Sequence, residues 1–342
     1  MAIYPSPGQL VDDTLALGAA ACFMSLPWWA QLDPPTGFSA NARWVARHMR
    51  AVHGALTFLR GRRHAIVMTN TMTIPSLAVA ARLARLPHLW MVHEFGIRDH
   101  GLEFPLGYAR TMRLISSLSQ TVICCSRAVE ESLRDVCPSM KTRVIYYGIE
   151  SPELGFRPRG RGSLHAVLVG RFSESKGQRI AVEALALARR QGADLALTLV
   201  GSGEASEVER LANALGVERY VRCRPHTPTP IDVWREADVA LMCSRDEAFG
   251  RVTVEAMRAS LPVCGADSGG TREIVIDGVN GLLFPPGDSR SLASKLVRLA
   301  SDEVLRGRLA EGAARSTARF GVDRYRQELR EAVLIAGSRS RL

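Results

Sequence analysis

Residues 243–257 read Cys-Ser-Arg-Asp-Glu-Ala-Phe-Gly-Arg-Val-Thr-Val-Glu-Ala-Met and follow the apolar run Val239–Met242. A short apolar run, a polar loop and a helical pattern starting close to Gly250 make a strand–loop–helix unit. Glu255 then falls about one and a half turns into the helix, and Glu247 precedes it. The amides of Phe249, Gly250, Arg251 and Val252 open the helix without intrahelical acceptors, which makes a ready anion site. Two carboxylates flanking such an end suit a sugar nucleotide. One accepts hydrogen bonds from sugar hydroxyls and the other from a ribose diol, while the amides hold the diphosphate. The plainer alternative is that both glutamates only complement the helix dipole, and taken alone the Glu-x7-Glu spacing says no more than that.

Working outward, the same alternation runs along all 342 residues. Strands are expected at 2–4, 65–69, 89–92, 121–124 and 144–146, then at 166–169, 195–200, 220–223, 239–242 and 262–264. Helices are expected at 40–59, 76–86, 107–118 and 128–136, then at 178–190, 204–215, 231–236, 252–259 and 289–301. Short apolar strands alternating with helices of this length mean βαβ units and parallel sheets covered on both faces. Between the two runs lies a segment with Pro152, Gly155, Pro158, Gly160 and Gly162 and no periodicity, which reads as a linker. The expected division is therefore 1–148, a linker at 149–164, 165–320, and a last helix within 321–342 that could pack back on the first domain. Two doubly wound α/β domains facing across a cleft would bind ligands at the carboxyl ends of their strands.

A second polar loop strengthens the reading of 243–257. In Val167-Leu168-Val169-Gly170-Arg171-Phe172-Ser173-Glu174-Ser175-Lys176-Gly177, an arginine and a lysine follow the first strand of the second domain. Fixed cations there would offset charge on a departing phosphate, although each could also be an ordinary surface residue. Glycine clusters follow at Gly201-Ser202-Gly203, Ser268-Gly269-Gly270 and Asp277-Gly278-Val279-Asn280-Gly281, each weak alone.

In this order, GRFSESKG, VGSGE, EAFGRVTVEAM, SGGTREIV and DGVNGLLFPPGD resemble the second half of a family 4 glycosyltransferase of the GT-B fold, over about residues 166–290. The resemblance implies a retaining, metal-independent transferase (EC 2.4) that needs no cofactor beyond a nucleoside-diphosphate-sugar substrate. It implies that Arg171 and Lys176 hold the donor diphosphate, that Glu247 contacts the transferred sugar, and that Glu255 contacts the ribose. No Asp-x-Asp occurs in the chain, in keeping with cations of the protein replacing a divalent metal. The first half is similar more loosely. Val122–Val129 matches a strand–Ser–helix element, and Arg143–Ile149 the crossover, with Tyr147 where asparagine is usual. His93, at a strand end where the family carries a functional histidine, is a candidate to act on the sugar or its phosphate. Glu94, Arg98 and Asp99 are candidates for the acceptor side. The plain alternative for His93 is a histidine that fixes its loop. The family usually begins with a buried strand and glycine-rich loop before the segment resembling residues 2–18. The expectation is therefore either a start further upstream or a shortened, inactive subunit; a sugar-nucleotide epimerase on the same fold is a further alternative.

Composition narrows the classes. The chain is 46% hydrophobic and 23% charged with a net charge of +10, and 41 of its 44 basic residues are arginine, lysine occurring only at 141, 176 and 295. Its seven cysteines, an odd number with no CxxC, sit in apolar runs and read as free thiols in a reducing compartment. The apolar stretch 15–30 follows Asp12-Asp13 and is interrupted by Gly18, Ser25 and Pro27, unlike a signal or spanning segment. A cytoplasmic protein is expected, peripheral on the inner membrane face if the next feature is functional. From Pro34 to His93 there is no Asp or Glu, but there are eight arginines. Arg43, Arg47 and Arg50 recur on one helix face beside Trp44, which suits an anionic membrane surface; a merely solvated face is the alternative. No nucleic-acid motif accompanies the charge. Expected partners are a nucleotide-sugar donor and a glycan or lipid-linked acceptor in glycan, glycolipid or envelope polysaccharide synthesis.

Overall fold

A computed structural model describes residues 1–32, 37–62, 64–150, 163–227 and 231–338. Most of the expected linker, residues 151–162, lies outside these, as do Arg63 and residues 339–342. The chain divides into two compact units, Met1–Ile145 with Glu328–Leu342, and Tyr146–Gln327.

In the first unit, β1 (Ala2–Tyr4) pairs in parallel with β2 (Ala21–Phe23). A separate parallel sheet holds β3 (Val67–Thr69), β4 (His88–Val92), β5 (Thr121–Cys124) and β6 (Thr142–Val144), in that order. The two sheets are joined by side chains. Ile3 and Met24 pack against Leu26, Val67, Leu77, Ala80 and Ala81 and the helix residues Ala55 and Leu59. Ser126 caps the helix Arg127–Val136 by accepting from the Val129 amide at 3.1 Å. The helix Val322–Ser338 joins this unit from Glu328 onward, where Arg143 pairs with Glu331 at 2.9 Å.

In the second unit, six parallel strands lie in the order β12 (Gly281–Phe284), β11 (Val263–Ala266), β10 (Val239–Met242), β7 (Leu164–Val169), β8 (Leu195–Gly201) and β9 (Val221–Pro225). Alternate residues of these strands, with the helices Gln178–Arg190 and Ser289–Ser301, form one continuous apolar core. The chain runs outward from β7 through β8 to β9, then returns to β7's other side as β10. The order therefore reverses between β7 and β10, and such switch points are where open α/β sheets bind ligands.

Several elements differ from expectation. Two strands, β2 and β12, were not anticipated, nor were the helices Gln9–Ala16 and Glu303–Ser316. Both strands are only three or four residues long and exist through ladder partners, β1 and β11, which local pattern cannot reveal. The strand expected at 144–146 forms at Thr142–Val144, because Ile123 and Cys124 pair with Arg143 and Val144. All seven cysteines are free, five of them buried. Burial raises the thiols of Cys124, Cys243 and Cys264 well above their usual range, Cys264 to about 12. Among the described residues no helix is long and apolar enough to cross a membrane.

Candidate active site

The loops after β7 and β10 meet at the switch point of the second unit. After β7 the chain makes a tight turn, Glu174–Lys176, and Gly177 launches the helix Gln178–Arg190 at φ +70°. A Cβ on Gly177 would stand 2.4 Å from the Cys243 carbonyl oxygen, so close approach as well as backbone angle requires glycine. Buried Gln178 donates to the carbonyls of Gly170 at 3.2 Å and Arg171 at 2.8 Å, which fixes the loop from below. The Gly201-Ser202-Gly203 segment packs against the same loop, with the Phe172 amide donating to Ser202 at 2.8 Å.

After β10, Gly250 at φ +105° starts the helix Arg251–Arg258, whose first turn has no side-chain cap and no acidic residue. The amides there are left to an outside acceptor, which an anion satisfies. The Ser268-Gly269-Gly270 loop closes over Glu247. The Gly270 amide donates to the Glu247 carbonyl at 2.7 Å, and a Cβ at Gly270 would lie 2.3 Å from the Phe249 oxygen. The two main loops are joined by one charged contact, from Lys176 Nζ to Glu247 Oε2 at 2.7 Å. Both side chains are largely shielded, so the pair is less screened than a surface bridge.

Of the residues singled out in this half, Arg171, Lys176, Glu247 and Gly250 thus converge on the switch point. Arg171 is exposed, with no ion-pair partner among the described residues. Glu255 is the fifth residue of its helix and half-buried; burial raises its carboxyl above the usual range, and Arg251 partly opposes this. The ring of Phe249 is buried among Tyr146, Tyr147 and Phe320, with centroids 4.9–6.1 Å away. That ring is packing, and only its backbone can serve a ligand.

In the first unit, His93 directly follows β4 and its Nε2 lies 2.7 Å from Asn70 Oδ1, just beyond β3. Burial pushes its imidazole down to about 4, so it is neutral at physiological pH. Glu94 is buried and turned inward. Its Oε1 accepts from the Met72 amide and the Thr71 hydroxyl, each at 3.1 Å, and its Oε2 accepts from the His93 amide at 3.1 Å. Desolvation still raises its carboxyl above the ordinary value. Asp99 accepts from the Phe95 amide at 2.8 Å, while Arg98 donates to Ser132 at 2.6 Å. These three side chains, expected on the acceptor side, brace the loop that carries His93. Gln178 and Asn70 were missed as site-builders; the only sequence signal is a polar residue beside a strand end or glycine turn. Among the described residues no group of three or more His, Cys, Asp or Glu could hold a metal ion.

Comparison with known proteins covers both units. Residues 6–148 match the family described as a glycosyl transferase 4-like domain, and residues 160–316 that described as glycosyl transferases group 1. A D-inositol 3-phosphate glycosyltransferase of Arthrobacter sp. (strain FB24) is 33% identical over 183 residues, 49% of this chain and 44% of the relative. The amylovoran biosynthesis glycosyltransferase AmsK of Erwinia amylovora is 34% identical over 182 residues, again 49% and 44%. These matches span less than half the length of the curated relatives. Among solved structures, Anabaena Alr3699/HepE in complex with UDP superposes with a TM-score of 0.75 at 23% identity, covering 97% of this chain and 90% of that one. The sucrose-phosphate synthase of Thermosynechococcus elongatus gives 0.71 at 20% identity, covering 95% and 90%. At such identities it is the fold that is shared.

Proposed function

The chain belongs to the glycosyltransferases of family 4 type with the GT-B fold, and on that premise we propose that it moves a sugar from a nucleoside diphosphate to an acceptor hydroxyl with retention of configuration. The observation that carries this is the Lys176–Glu247 pair at the switch point, beside the uncapped end of the helix Arg251–Arg258. A donor diphosphate entering there competes with Glu247 for the Lys176 ammonium. It is held by Lys176, Arg171 and the amides of Phe249, Gly250, Arg251 and Val252, and Glu247 is released to accept hydrogen bonds from the sugar. Glu255 takes the ribose diol. The cations and amides stabilise charge on the leaving diphosphate in the oxocarbenium-like transition state, the task a divalent metal would otherwise perform. His93, neutral through burial, hydrogen-bonds the sugar or its phosphate, held in place by Asn70 and Glu94.

The donor class is supported by the likeness to structures described with UDP and UDP-glucose. The acceptor belongs to glycan, glycolipid or envelope polysaccharide synthesis, and the protein works in the cytoplasm, reaching an anionic membrane face through Arg43, Arg47 and Arg50. The comparisons favour neither an epimerase nor an inactive subunit.

Thermal-shift screening against UDP-, GDP- and ADP-sugars, followed by transfer assays with and without chelator, tests the proposal. The matching donor raises the melting temperature, chelator leaves turnover unchanged, and the product keeps the donor's anomeric configuration. Glu247→Ala is expected to lose about 100-fold or more in kcat while staying folded. A wild type that neither binds nor turns over any donor would overturn the reading.

A further inference from the structure

The backbone that carries the proposed anion site is held from behind by the segment Tyr146–Ile149, at the start of the second unit. Phe249 directly precedes Gly250, so whatever holds its buried ring also holds the amides of these two residues. The Tyr147 ring meets the Phe249 ring edge-on at 4.9 Å, and the Tyr146 ring lies 6.1 Å away at 31°. Aromatic contacts of this kind add orientation to plain burial.

Tyr146 also reaches the loop on the other side of the site. Its hydroxyl donates to Glu273 Oε2 at 2.8 Å, a charge-assisted bond. Glu273 lies in the short helix Thr271–Ile274, which directly follows the Ser268-Gly269-Gly270 loop. That loop is closely seated on residues 245–249. The Ser268 hydroxyl donates to the Arg245 carbonyl at 2.6 Å, and a Cβ on Gly269 would run into the Glu247 carbonyl oxygen. With its ring on Phe249 and its hydroxyl on Glu273, one side chain thus spans both loops that frame Glu247 and the helix start.

The segment that bears Tyr146 is itself anchored. The Ile149 amide donates to the Phe320 carbonyl at 2.9 Å, and a Cβ on Gly148 would lie 2.6 Å from Val322 Cα. From the same anchor, Arg319 donates to the carbonyls of Glu273 and Ile274 at 2.6 and 3.0 Å. A ring that only filled the core would need no hydroxyl aimed at a carboxylate. We infer that Tyr146 is a positioning residue for the donor: from this fixed point it aligns the amides of residues 247–252 with the 268–270 loop, so that a nucleoside diphosphate meets them already in place. It acts through Phe249 and Glu273, and the inference rests on the donor site proposed above.

Calorimetric titration with UDP, GDP and ADP first identifies the nucleoside diphosphate that the wild type binds. Tyr146→Phe keeps the ring and removes the hydroxyl, and is expected to bind that nucleotide about tenfold more weakly. Glu273→Ala should lose a similar amount. The double variant should lose no more than about twofold beyond the weaker single variant, because both changes break one link. Thr198→Val is the control. It removes a buried hydroxyl from the middle of β8, 2.8 Å from His165 Nε2, and should bind within about twofold of the wild type. Without nucleotide, Tyr146→Phe should speed hydrogen exchange at residues 247–252 and 268–270, and Thr198→Val should not. Wild-type affinity in Tyr146→Phe, equal weakening in Thr198→Val, or fully additive losses in the double variant would overturn the inference and leave the donor site standing. A wild type that binds none of the three nucleotides removes the donor site and the inference together.

Discussion

Glu94 illustrates how a side chain chosen for its polarity can hold two loops together. Its two oxygens collect three hydrogens, from Met72, Thr71 and His93, and so hold the end of β4 against the segment after β3. In Glu94→Gln one amide oxygen can still serve Met72 and Thr71, but the NH₂ group would face the His93 N–H, donor against donor. The expected cost is about 1–3 kcal/mol of stability. The displaced His93 should lower kcat by about 10- to 100-fold with donor KM unchanged, measured by urea unfolding and steady-state kinetics. Unaltered kcat would remove His93 and its brace from the mechanism. Lys176 and Glu247 could be picked from sequence because both stand in polar loops after apolar strands. That they touch could not be, since 71 residues separate them.

At the level of elements, two histidines make the first unit sensitive to acid. His88 opens β4 and is fully buried, with Nε2 2.8 Å from the Thr69 hydroxyl in β3 and Nδ1 3.1 Å from that of Ser119. Burial pushes it down to about 3 and His93 down to about 4, both from 6.5. Below pH 6.5 the unfolded chain therefore takes up these protons before the folded one, so stability rises with pH through this window. Each histidine should cost about 1.4 kcal/mol per pH unit as pH falls from 6.5 towards its folded value. Chemical denaturation at pH 7, 6, 5 and 4 checks this, and His88→Gln should flatten the slope. An unchanged slope would show that His88 does not stay neutral. The parallel strands and long helices were legible because each carries its own apolar pattern. By contrast, β2 and β12 owe their existence to neighbours far along the chain.

At the scale of the whole molecule, the proposed donor contacts fall mainly on the loops of the second unit. Hydrogen exchange with a bound nucleotide sugar should slow the amides of residues 170–177, 247–252 and 268–270 and leave the helix Phe38–Leu59 unchanged. A donor footprint on residues 38–50 would contradict this placement of the donor site. The net charge of +10 says little as a total. Lys176 serves the proposed donor site, whereas Arg43, Arg47 and Arg50 lie on a helix of the other unit. By itself the sequence determined the α/β alternation, the family and the polar loops proposed to bear the chemistry, because strand and helix periodicity and glycine-marked turns are local properties. Only the tertiary structure decided which loops meet at the strand-order reversal, that Glu94 is buried on the amides of Met72 and His93, and that the ring of Phe249 is packing. Those outcomes depend on strand order and side-chain burial, which arise from contacts between residues distant in the chain.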